Sequence, residues 1–166
     1  MAYVLDAAGF FAGIHLGVNG KVYAPPQVLR EVKDAHSRRA LELGLSGGKV
    51  VILNPSKGSV RNVSEISSKL GEFGRLSDTD IAVLALAKDL MNICKRVVVV
   101  SDDRSVQNVA LRMGATVMGV KREPLKKPRR YLYICPYCGR VFKSPGVCPH
   151  CGVKLRRVRE DKIKSP

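Results

Sequence analysis

The most constraining feature of this 166-residue chain is a group of four cysteines near its C-terminal end. They form two C-x-x-C pairs, CPYC and CPHC, separated by nine residues. Two thiolates at this spacing on a turn can face one ion, and a second such pair completes a tetrahedron. A glycine follows each pair, where a tight turn favours positive φ. The spacing predicts a small zinc-binding module with four ligands: Cys135, Cys138, Cys148 and Cys151.

Other uses of paired cysteines fit this chain less well. Disulfides are rare in a reducing cytosol, and a redox C-x-x-C motif explains one pair but not two in tandem. His150 lies inside the second pair and is interpreted as a spacer, because four thiolates already fill a tetrahedral site. Cys94 is expected to be a small buried apolar residue. Zinc modules occur in enzymes and in binding proteins, so the cysteines alone do not indicate a function.

Positive charge is concentrated in the same part of the chain. Residues 1–120 hold 15 Lys or Arg and 11 Asp or Glu, a net charge of +4, whereas residues 121–166 hold 14 and 3, a net charge of +11. The segment 121–130, KREPLKKPRR, contains two prolines, which disfavour the amphipathic helix of a lipid-binding segment. A polyanion is therefore the favoured partner, with a merely solvated tail as the alternative.

The sequence contains no indication of a membrane partner. No stretch approaches the ~20 apolar residues that a membrane span needs. The first residues, MAYVLDAAGFF, lack the basic lead of a signal peptide. We therefore expect a cytoplasmic protein, and the sequence says nothing about its oligomeric state.

Residues 2–120 alternate between short apolar runs and longer segments with helical periodicity. The run VVVV at 97–100 is typical of a strand buried on both faces of a parallel sheet. Other strands are predicted at 3–5, 50–53 and 116–120, and helices at 25–32, 34–45, 60–73, 78–91 and 105–113. This alternation predicts an α/β fold in which a parallel sheet is covered by helices on both faces.

The chain is divided into four parts on this basis. Residues 1–120 are predicted to form the α/β domain, 121–130 a basic linker, 131–155 a zinc ribbon and 156–166 a basic tail with frayed ends. Because the linker contains prolines, we expect more than one pose of the ribbon on the domain.

Acidic residues occur where predicted strands end and helices begin. In a parallel sheet, ligand groups gather beyond the C-terminal ends of the strands. Each acid also has a structural alternative. Asp6 and Asp103 can cap the helices that follow them. Ser77 with Asp80 resembles a capping box, and Glu31 can pair with a basic neighbour. The acids at these junctions are Asp6, Glu31, Asp78, Asp80, Asp102 and Asp103.

Taken together, the acids favour a catalytic interpretation. Carboxylates held close together repel one another unless a cation neutralises them, and hard oxygen ligands suit Mg²⁺ or Mn²⁺. Such a cation acidifies a bound water and offsets negative charge at phosphorus. An acidic pocket beside a basic arm is what a metal-dependent phosphodiesterase acting on a polyanion requires.

Four stretches carry recognisable motifs: YVLDAAGFF, PPQVLREV, LSDTDIAVLALA and VVVVSDDRSVQNVALRMG, followed by the four-cysteine ribbon. Together they resemble the PIN-domain endonucleases, with a PIN domain over roughly 1–120. More closely, they are similar to the archaeal and eukaryotic type that matures the 3′ end of small-subunit ribosomal RNA. The resemblance implies hydrolysis of precursor rRNA by a metal-activated water, without a covalent intermediate, leaving a 3′-hydroxyl and a 5′-phosphate.

The resemblance also implies a set of site residues. The catalytic quartet would be Asp6, Glu31, Asp80 and Asp103. The Mg²⁺ or Mn²⁺ ligands would be Asp6, Asp80 and Asp103. Asp102 can share or take the role of its neighbour Asp103, and Asp78 is a further candidate beside the pocket. Ser101 and Thr79 are expected to orient the pocket by hydrogen bonds.

Basic and aromatic residues of the linker and ribbon are candidates for contact with RNA. Tyr131 is one of them, and the cations are Lys126, Lys127, Arg129, Arg130, Arg140 and Lys143. Tyr133, Tyr137 and Phe142 can either stack on unpaired bases or pack the core of the ribbon. The core interpretation is favoured for Tyr133 and Phe142.

Two other functions are compatible with these motifs. A non-catalytic RNA-binding adaptor associated with the ribosome would use the α/β domain as a scaffold, with the acids as helix caps. A general stress ribonuclease of the toxin type is usually a single PIN domain, so the ribbon and its basic linker weigh against it.

Overall fold

A computed structural model describes residues 1–72 and 74–163 of the chain. Its larger sheet consists of Ala2–Leu5 (β1), Lys21–Ala24 (β2), Val50–Ile52 (β3), Val97–Val100 (β4) and Thr116–Met118 (β5). The strands lie in the order β3-β2-β1-β4-β5, and all neighbours are parallel. The predicted α/β fold is therefore confirmed.

Helices connect these strands and flank the sheet. Within the described ranges they are Ala7–Phe11 (α1), Ile14–Gly17 (α2), Pro26–Glu31 (α3), Ala35–Ser46 (α4), Lys57–Lys69 (α5), Asp78–Met91 (α6) and Arg104–Met113 (α7). Every residue of β4 is buried, and so is half of α6, because both contribute to the core. All of these helices are too short or too polar to span a lipid bilayer.

The largest differences from the predicted elements lie in the first half of the chain. Strand β2 and the short helices α1 and α2 were not predicted, because each has only four or five residues and little periodicity. Helix α5 begins earlier than expected, because Ser56 caps it by accepting the N–H of Ser59 (3.1 Å). It ends at Lys69, before Gly71 takes a positive φ. The predicted end at Phe73 lies outside the described residues.

The order in which the chain adds strands to the sheet reverses at β1. The chain runs from β1 through β2 to β3 on one side, and then returns through β4 to β5 on the other. Leu5 pairs with Val100, so Asp6 and Ser101 leave the sheet side by side at the C-terminal ends of their strands. A switch point of this kind opens a crevice in which α/β proteins bind ligands.

The second sheet forms the body of the ribbon. It is antiparallel and contains Tyr131–Ile134 (β6), Val141–Phe142 (β7) and Arg156–Arg159 (β8) in the order β7-β6-β8. The assignment of 156–159 to a frayed tail is wrong, because these residues pair with the whole of β6. Glu160–Lys162 follows as a 3-10 helix, and the tail residues 164–166 lie outside the described part.

The linker 121–130 is bound along α7. The side chain of Asn108 accepts the N–H of Arg129 (2.6 Å) and donates to its C=O (2.8 Å). Gln107 accepts the N–H of Leu125 (2.9 Å), and Leu125 is buried. The expectation of several ribbon poses is therefore corrected, because α7 specifies the path of the linker despite its prolines.

Glu72 fastens the ribbon to the α/β domain. It is almost fully buried, accepts a hydrogen bond from Nδ2 of Asn108 (2.6 Å) and forms an ion pair with Arg157 of β8. Arg157 also donates to the C=O of Gly71 (3.1 Å) and stacks on the ring of Tyr131, 3.4 Å from its centroid. This contact joins α7, the loop after α5 and the ribbon sheet.

Gly71 allows this contact to be close. A Cβ atom added at Gly71 would collide with the backbone oxygen of Tyr131, and the positive φ of Gly71 also favours glycine. The hydroxyl of Tyr133 donates to the C=O of Gly71 (3.2 Å), and the C=O of Leu70 accepts the N–H of Tyr131 (2.9 Å). The first strand of the ribbon therefore lies directly on the α/β domain.

Candidate active site and metal centre

Asp6 lies at the switch point between β1 and β4. Its Oδ1 accepts the N–H of Gly9 (2.9 Å) and so caps α1. Burial raises the pKa of Asp6, and the charges of Asp80 and Asp102 raise it further, against hydrogen bonds from Ser101 and Gly9 that lower it. The carboxylates of Asp80 and Asp102 are therefore close enough to Asp6 for their charges to act on it. We call this end of β1 and β4, with Asp6, Asp80, Asp102 and Asp103, the acidic edge.

Asp80 belongs to the first turn of α6. Its Oδ2 accepts hydrogen bonds from the N–H (2.9 Å) and the hydroxyl (2.8 Å) of Ser77, and the Oγ of Ser77 accepts the N–H of Asp80 (3.1 Å). The capping box predicted from LSDTD is thereby confirmed. Asp78, at the start of the same helix, is exposed, and Thr79 is half-buried.

Asp103 caps α7, as its structural alternative predicted. Its Oδ1 accepts the N–H groups of Ser105 (2.6 Å) and Val106 (3.2 Å). Its own N–H donates to Oγ of Ser101 (3.1 Å), a fully buried residue that stands next to Asp6. Ser101 therefore links the end of β4 to the acidic edge.

Asp102 is held differently from its neighbour. Its Oδ1 accepts the N–H groups of Val120 (2.8 Å), Lys121 (3.2 Å) and Arg122 (3.3 Å), and its Oδ2 accepts the N–H of Lys121 (3.0 Å). Burial acts to raise the pKa of Asp102, but these hydrogen bonds outweigh it and the pKa is lowered. Both oxygens of Asp102 are thus bound to the start of the linker.

The cap and ligand roles of the acids are compatible. Asp6, Asp80 and Asp103 each use one carboxylate oxygen for a helix cap. In residues 1–72 and 74–163, no backbone N–H binds the other oxygen of these three groups. A carboxylate has about four lone-pair sites, so the second oxygen remains able to bind a divalent cation. The donor set fits Mg²⁺ or Mn²⁺, which prefer oxygen ligands.

Glu31 is the last residue of α3 and is exposed. Helix α3 packs against α1 and α6, the two helices that Asp6 and Asp80 cap. Over the described ranges, Glu31 forms no ion pair with Arg30 or Lys33. The proposed pairing is therefore not found, and the carboxylate stands on an element that adjoins the acidic edge.

The four cysteine sulfurs of the ribbon converge on one point. All four Sγ atoms lie within 4.8 Å of one another, with Cys135 and Cys148 buried. Each pair forms the same turn: the glycine after it has a positive φ and donates its N–H to the first cysteine's C=O, at 3.0 Å for Gly139 and 2.9 Å for Gly152. This geometry is suited to a metal with four sulfur ligands.

The pKa values of two of these thiols, Cys135 and Cys151, are shifted in opposite directions. The N–H of Cys138 donates to Sγ of Cys135 (3.4 Å) and helps to lower the pKa of that thiol to about 7. The hydrogen bond with Cys138 raises the pKa of Cys151 to about 12, helped by burial and by the charge of Cys135. Four thiolates this close repel one another, so a cation is needed to hold them all.

The predicted RNA-binding cations are all exposed: Lys126, Lys127, Arg129, Arg130, Arg140 and Lys143. Tyr133 is buried against Gly71, which confirms its core interpretation. Phe142 is half-buried, whereas Tyr137 is 84% exposed on the first cysteine turn. Of the three rings, Tyr137 is thus the one free to stack on a base.

Three residues of the domain interface were not predicted from the sequence: Glu72, Asn108 and Arg157. The partners Glu72 and Arg157 are 85 positions apart. Nothing in the local pattern distinguishes them from surface charges, because only the docked ribbon buries them. Asn108 is different, because it lies on the apolar side of the predicted helix, where a polar side chain indicates a buried hydrogen-bond partner.

Comparison with known proteins adds to this geometry. Residues 3–90 match the family described as the PIN domain of ribonuclease. Endoribonuclease Nob1 of Pyrococcus abyssi is 41% identical over 158 residues, which cover 93% of this chain and 92% of that protein. Ribonuclease VapC3 of Aeropyrum pernix is 41% identical over 120 residues, which cover 72% of this chain and 86% of that protein.

A eukaryotic relative matches over a shorter stretch. The 20S-pre-rRNA D-site endonuclease NOB1 of Saccharomyces cerevisiae is 37% identical over 68 residues, which cover 41% of this chain and 15% of that protein. The match to the Pyrococcus protein is longer than the α/β domain and so extends into the ribbon. The expected family and enzyme class are confirmed: the chain belongs to the PIN-domain ribonucleases and is an endoribonuclease of the Nob1 family.

Proposed function

We propose that this endoribonuclease requires a divalent cation and cleaves precursor small-subunit ribosomal RNA to form its mature 3′ end. One observation carries the proposal. Asp6, Asp80 and Asp103 cap three helices around the switch point of the sheet, and each keeps one oxygen clear of backbone N–H groups. Mg²⁺ and Mn²⁺ are the cations that such oxygen donors favour.

Asp103 is a better cation ligand than Asp102. A cation bound by Asp102 would have to displace backbone N–H groups from either oxygen. Asp103 commits only Oδ1, to the first turn of α7. We therefore assign Asp103 to the cation, and Asp102 to holding the start of the linker against β4.

The remaining groups of the edge have supporting roles. When bound, the cation would offset negative charge at the phosphorus and acidify a water. Glu31 is exposed and has no hydrogen bond or ion pair in the described part of the chain. It is therefore available to accept a proton from the attacking water. Ser101 orients Asp6, and Asp78 adds negative charge at the rim of the pocket.

The ribbon would bind zinc through its four cysteines and present cations to the RNA. Zinc is the metal that structural sites of four thiolates hold. The exposed cations of the linker and ribbon turn would contact phosphate groups, so affinity would fall steeply with salt. Tyr137 would stack on an unpaired base. A reducing cytoplasm, which keeps the thiols free for metal, suits such a protein.

The substrate assignment draws on the name of the yeast relative, an endonuclease of 20S pre-rRNA. It is tested by incubating a precursor that spans the 3′ end of small-subunit rRNA with zinc-loaded protein and Mn²⁺, with and without chelator. The product ends are then mapped. We expect a single cut that leaves a 3′-hydroxyl and a 5′-phosphate and is abolished by the chelator.

Asp80→Asn is the matched variant, with Asp89→Asn as its control. Asp89 lies on the same helix, but its carboxylate binds Ser56 and Ser59, away from the acidic edge. Asp80→Asn should lose cleavage, and Asp89→Asn should retain it. Equal cleavage by Asp80→Asn and the wild type would contradict the proposal.

Family membership argues against a non-catalytic adaptor, in which Asp6, Asp80 and Asp103 would serve only as helix caps. Such an adaptor predicts tight RNA binding without cleavage under any metal condition. A toxin-type ribonuclease predicts cleavage of many RNAs with no preference for the precursor. The mapped products distinguish all three.

A further inference from the structure

A basic groove lies beside the linker and outside the acidic edge. It encloses about 640 Å³ between the end of α5, the last turn of α7 and the end of the linker. Ile66 and Leu70 contribute apolar surface to it. The cations that line it are Lys69, Arg112, Arg129 and Arg130. Lys69 and Arg112 belong to the PIN domain and were not among the predicted RNA contacts.

Most of this charge is not neutralised within the protein. Arg130 forms a surface ion pair with Glu160 (2.9 Å). Lys69, Arg112 and Arg129 have no carboxylate partner within the described ranges, and no acid lines the groove. Cations gathered around a concave surface repel one another and raise the local concentration of anions. The groove therefore favours an anionic ligand.

The elements that bear these cations are held in place. Helix α5 packs on α7. Arg129 is fixed at both its N–H and its C=O by Asn108 of α7. The C=O of Leu70 accepts the N–H of Tyr131 (2.9 Å), which joins the end of α5 to the start of β6. A surface that is already ordered loses less entropy when a ligand binds.

The groove adjoins a second cleft of about 590 Å³, which is lined by five cations and by the acids Glu123 and Asp161. The two share Pro128 and Arg129, and the second also contains Arg104, the residue after Asp103. Arg112 stands in the last turn of the same helix that Asp103 caps, about 14 Å away along its axis. Cations thus extend from the residue after Asp103 along the linker to the groove, in excess of the acids Glu123 and Asp161.

We propose that Lys69, Arg112 and Arg129 bind backbone phosphate groups of the RNA substrate, several nucleotides away from the bond that is cut. A polymer of phosphates matches a surface that is long, mainly cationic and extends from the residue after Asp103. The proposal rests on the proposed function, because it takes RNA as the substrate. It adds a second contact region, on the PIN domain itself, to the cations of the linker and ribbon.

The test is the double variant Lys69→Gln/Arg112→Gln, compared with Lys57→Gln/Lys95→Gln. Both pairs remove the same charge, and Lys57 and Lys95 are exposed but line neither cleft. The affinity for single-stranded precursor RNA is measured over a range of salt concentrations. Two lost phosphate contacts should reduce the slope of log K against log [salt] by about 1.4. The control pair should leave the slope close to the wild-type value.

An unchanged slope in the groove variant, or an equal loss in the control pair, would overturn the proposal. Cleavage gives a second readout. On the long precursor the groove variant should raise KM and leave kcat unchanged, and on an oligonucleotide too short to reach the groove it should match the wild type. A lower kcat on the short substrate would also contradict the proposal.

The outcomes separate this proposal from the proposed function. If the wild type does not cleave the precursor but the groove variant still loses salt-dependent binding, the groove stands and the proposed function fails. If the wild type cleaves the precursor and the groove variant binds normally, the proposed function stands and the groove proposal fails. Melting curves for both double variants verify that they are folded.

Discussion

The acidic edge and the four-cysteine ribbon both contain candidate metal ligands of one kind, but they are built in different ways. At the edge, Asp6, Asp80 and Asp103 come from three motifs far apart in the chain, and each also caps a helix. The sheet behind them has its own buried core. In the ribbon, four sulfurs come from 17 consecutive residues over a small sheet. The fold therefore supports the acidic edge, whereas the metal must support the ribbon.

The largest effect is expected from Cys138→Ser. Zinc supplies most of the folding free energy of so small a module, so the variant should lose its zinc and the order of β7 and the cysteine turns. The α/β domain should stay folded, because its core does not include the ribbon. Metal analysis together with a melting curve tests this prediction. Full zinc content, or loss of the whole fold, would remove the contrast between the two regions.

Asp6→Asn should lose activity and keep its stability, whereas Cys138→Ser loses the order of the ribbon. Asn caps helices as well as Asp does, and the change removes a carboxylate whose charged form burial disfavours. Stability should therefore be unchanged or higher. The cleavage rate should fall about 1000-fold, since about 4 kcal/mol of cation-dependent stabilisation is lost. Single-turnover cleavage and thermal unfolding of the same sample test this pair of expectations. A rate within tenfold of the wild type would count against the edge as the catalytic centre.

Glu72→Gln tests how the two regions are joined. It leaves the half-buried guanidinium of Arg157 without its counter-ion, which should cost about 2 kcal/mol, less than for a fully buried pair. The glutamine can still accept the hydrogen bond from Asn108, so the loss reports on the ion pair. We expect faster hydrogen exchange in β6 and β8, with α6 and β4 unaffected. Unchanged exchange in β6 would indicate that the linker and the hydrogen bonds to Leu70 and Gly71 hold the ribbon without the ion pair.

The smallest effect is expected from Asp102→Asn. The variant keeps one acceptor oxygen for the N–H groups of 120–122 but loses the charge that strengthens those bonds. The melting temperature should fall by a few degrees, and cleavage should stay within tenfold of the wild type. Asp103→Asn should instead lose most of the activity. If Asp102→Asn loses most of the activity and Asp103→Asn keeps it, Asp102 is the ligand.

The sequence predicted those features that depend on local pattern. The buried strand VVVV, the capping box at LSDTD and the glycine turns after each cysteine pair all depend on residues within a few positions of one another. The position of Asp6 at the C-terminal end of a parallel strand was also predicted, because it follows the apolar run at 3–5. Short elements without periodicity, such as β2, did not.

Features that depend on distant partners were not predictable. Glu72 is buried because Arg157 neutralises it, and the two are 85 positions apart. The basic run at 156–159 reads as a solvated tail, yet it forms β8 because its backbone pairs with β6. The proposed preference for Asp103 over Asp102 also depends on the fold, since neighbouring acids look alike in the sequence and differ only in their hydrogen bonds.

Binding of Mn²⁺ to zinc-loaded protein, followed by electron paramagnetic resonance, tests most directly whether the acids share a cation. Asp34→Asn is the control for Asp6→Asn, because Asp34 caps α4 in the same way (2.8 Å to the N–H of Ser37) but is not one of the proposed cation ligands. If the acids share a cation, Mn²⁺ binds to the wild type and to Asp34→Asn, and its affinity for Asp6→Asn is at least tenfold weaker. Equal affinity in all three proteins would contradict a shared cation.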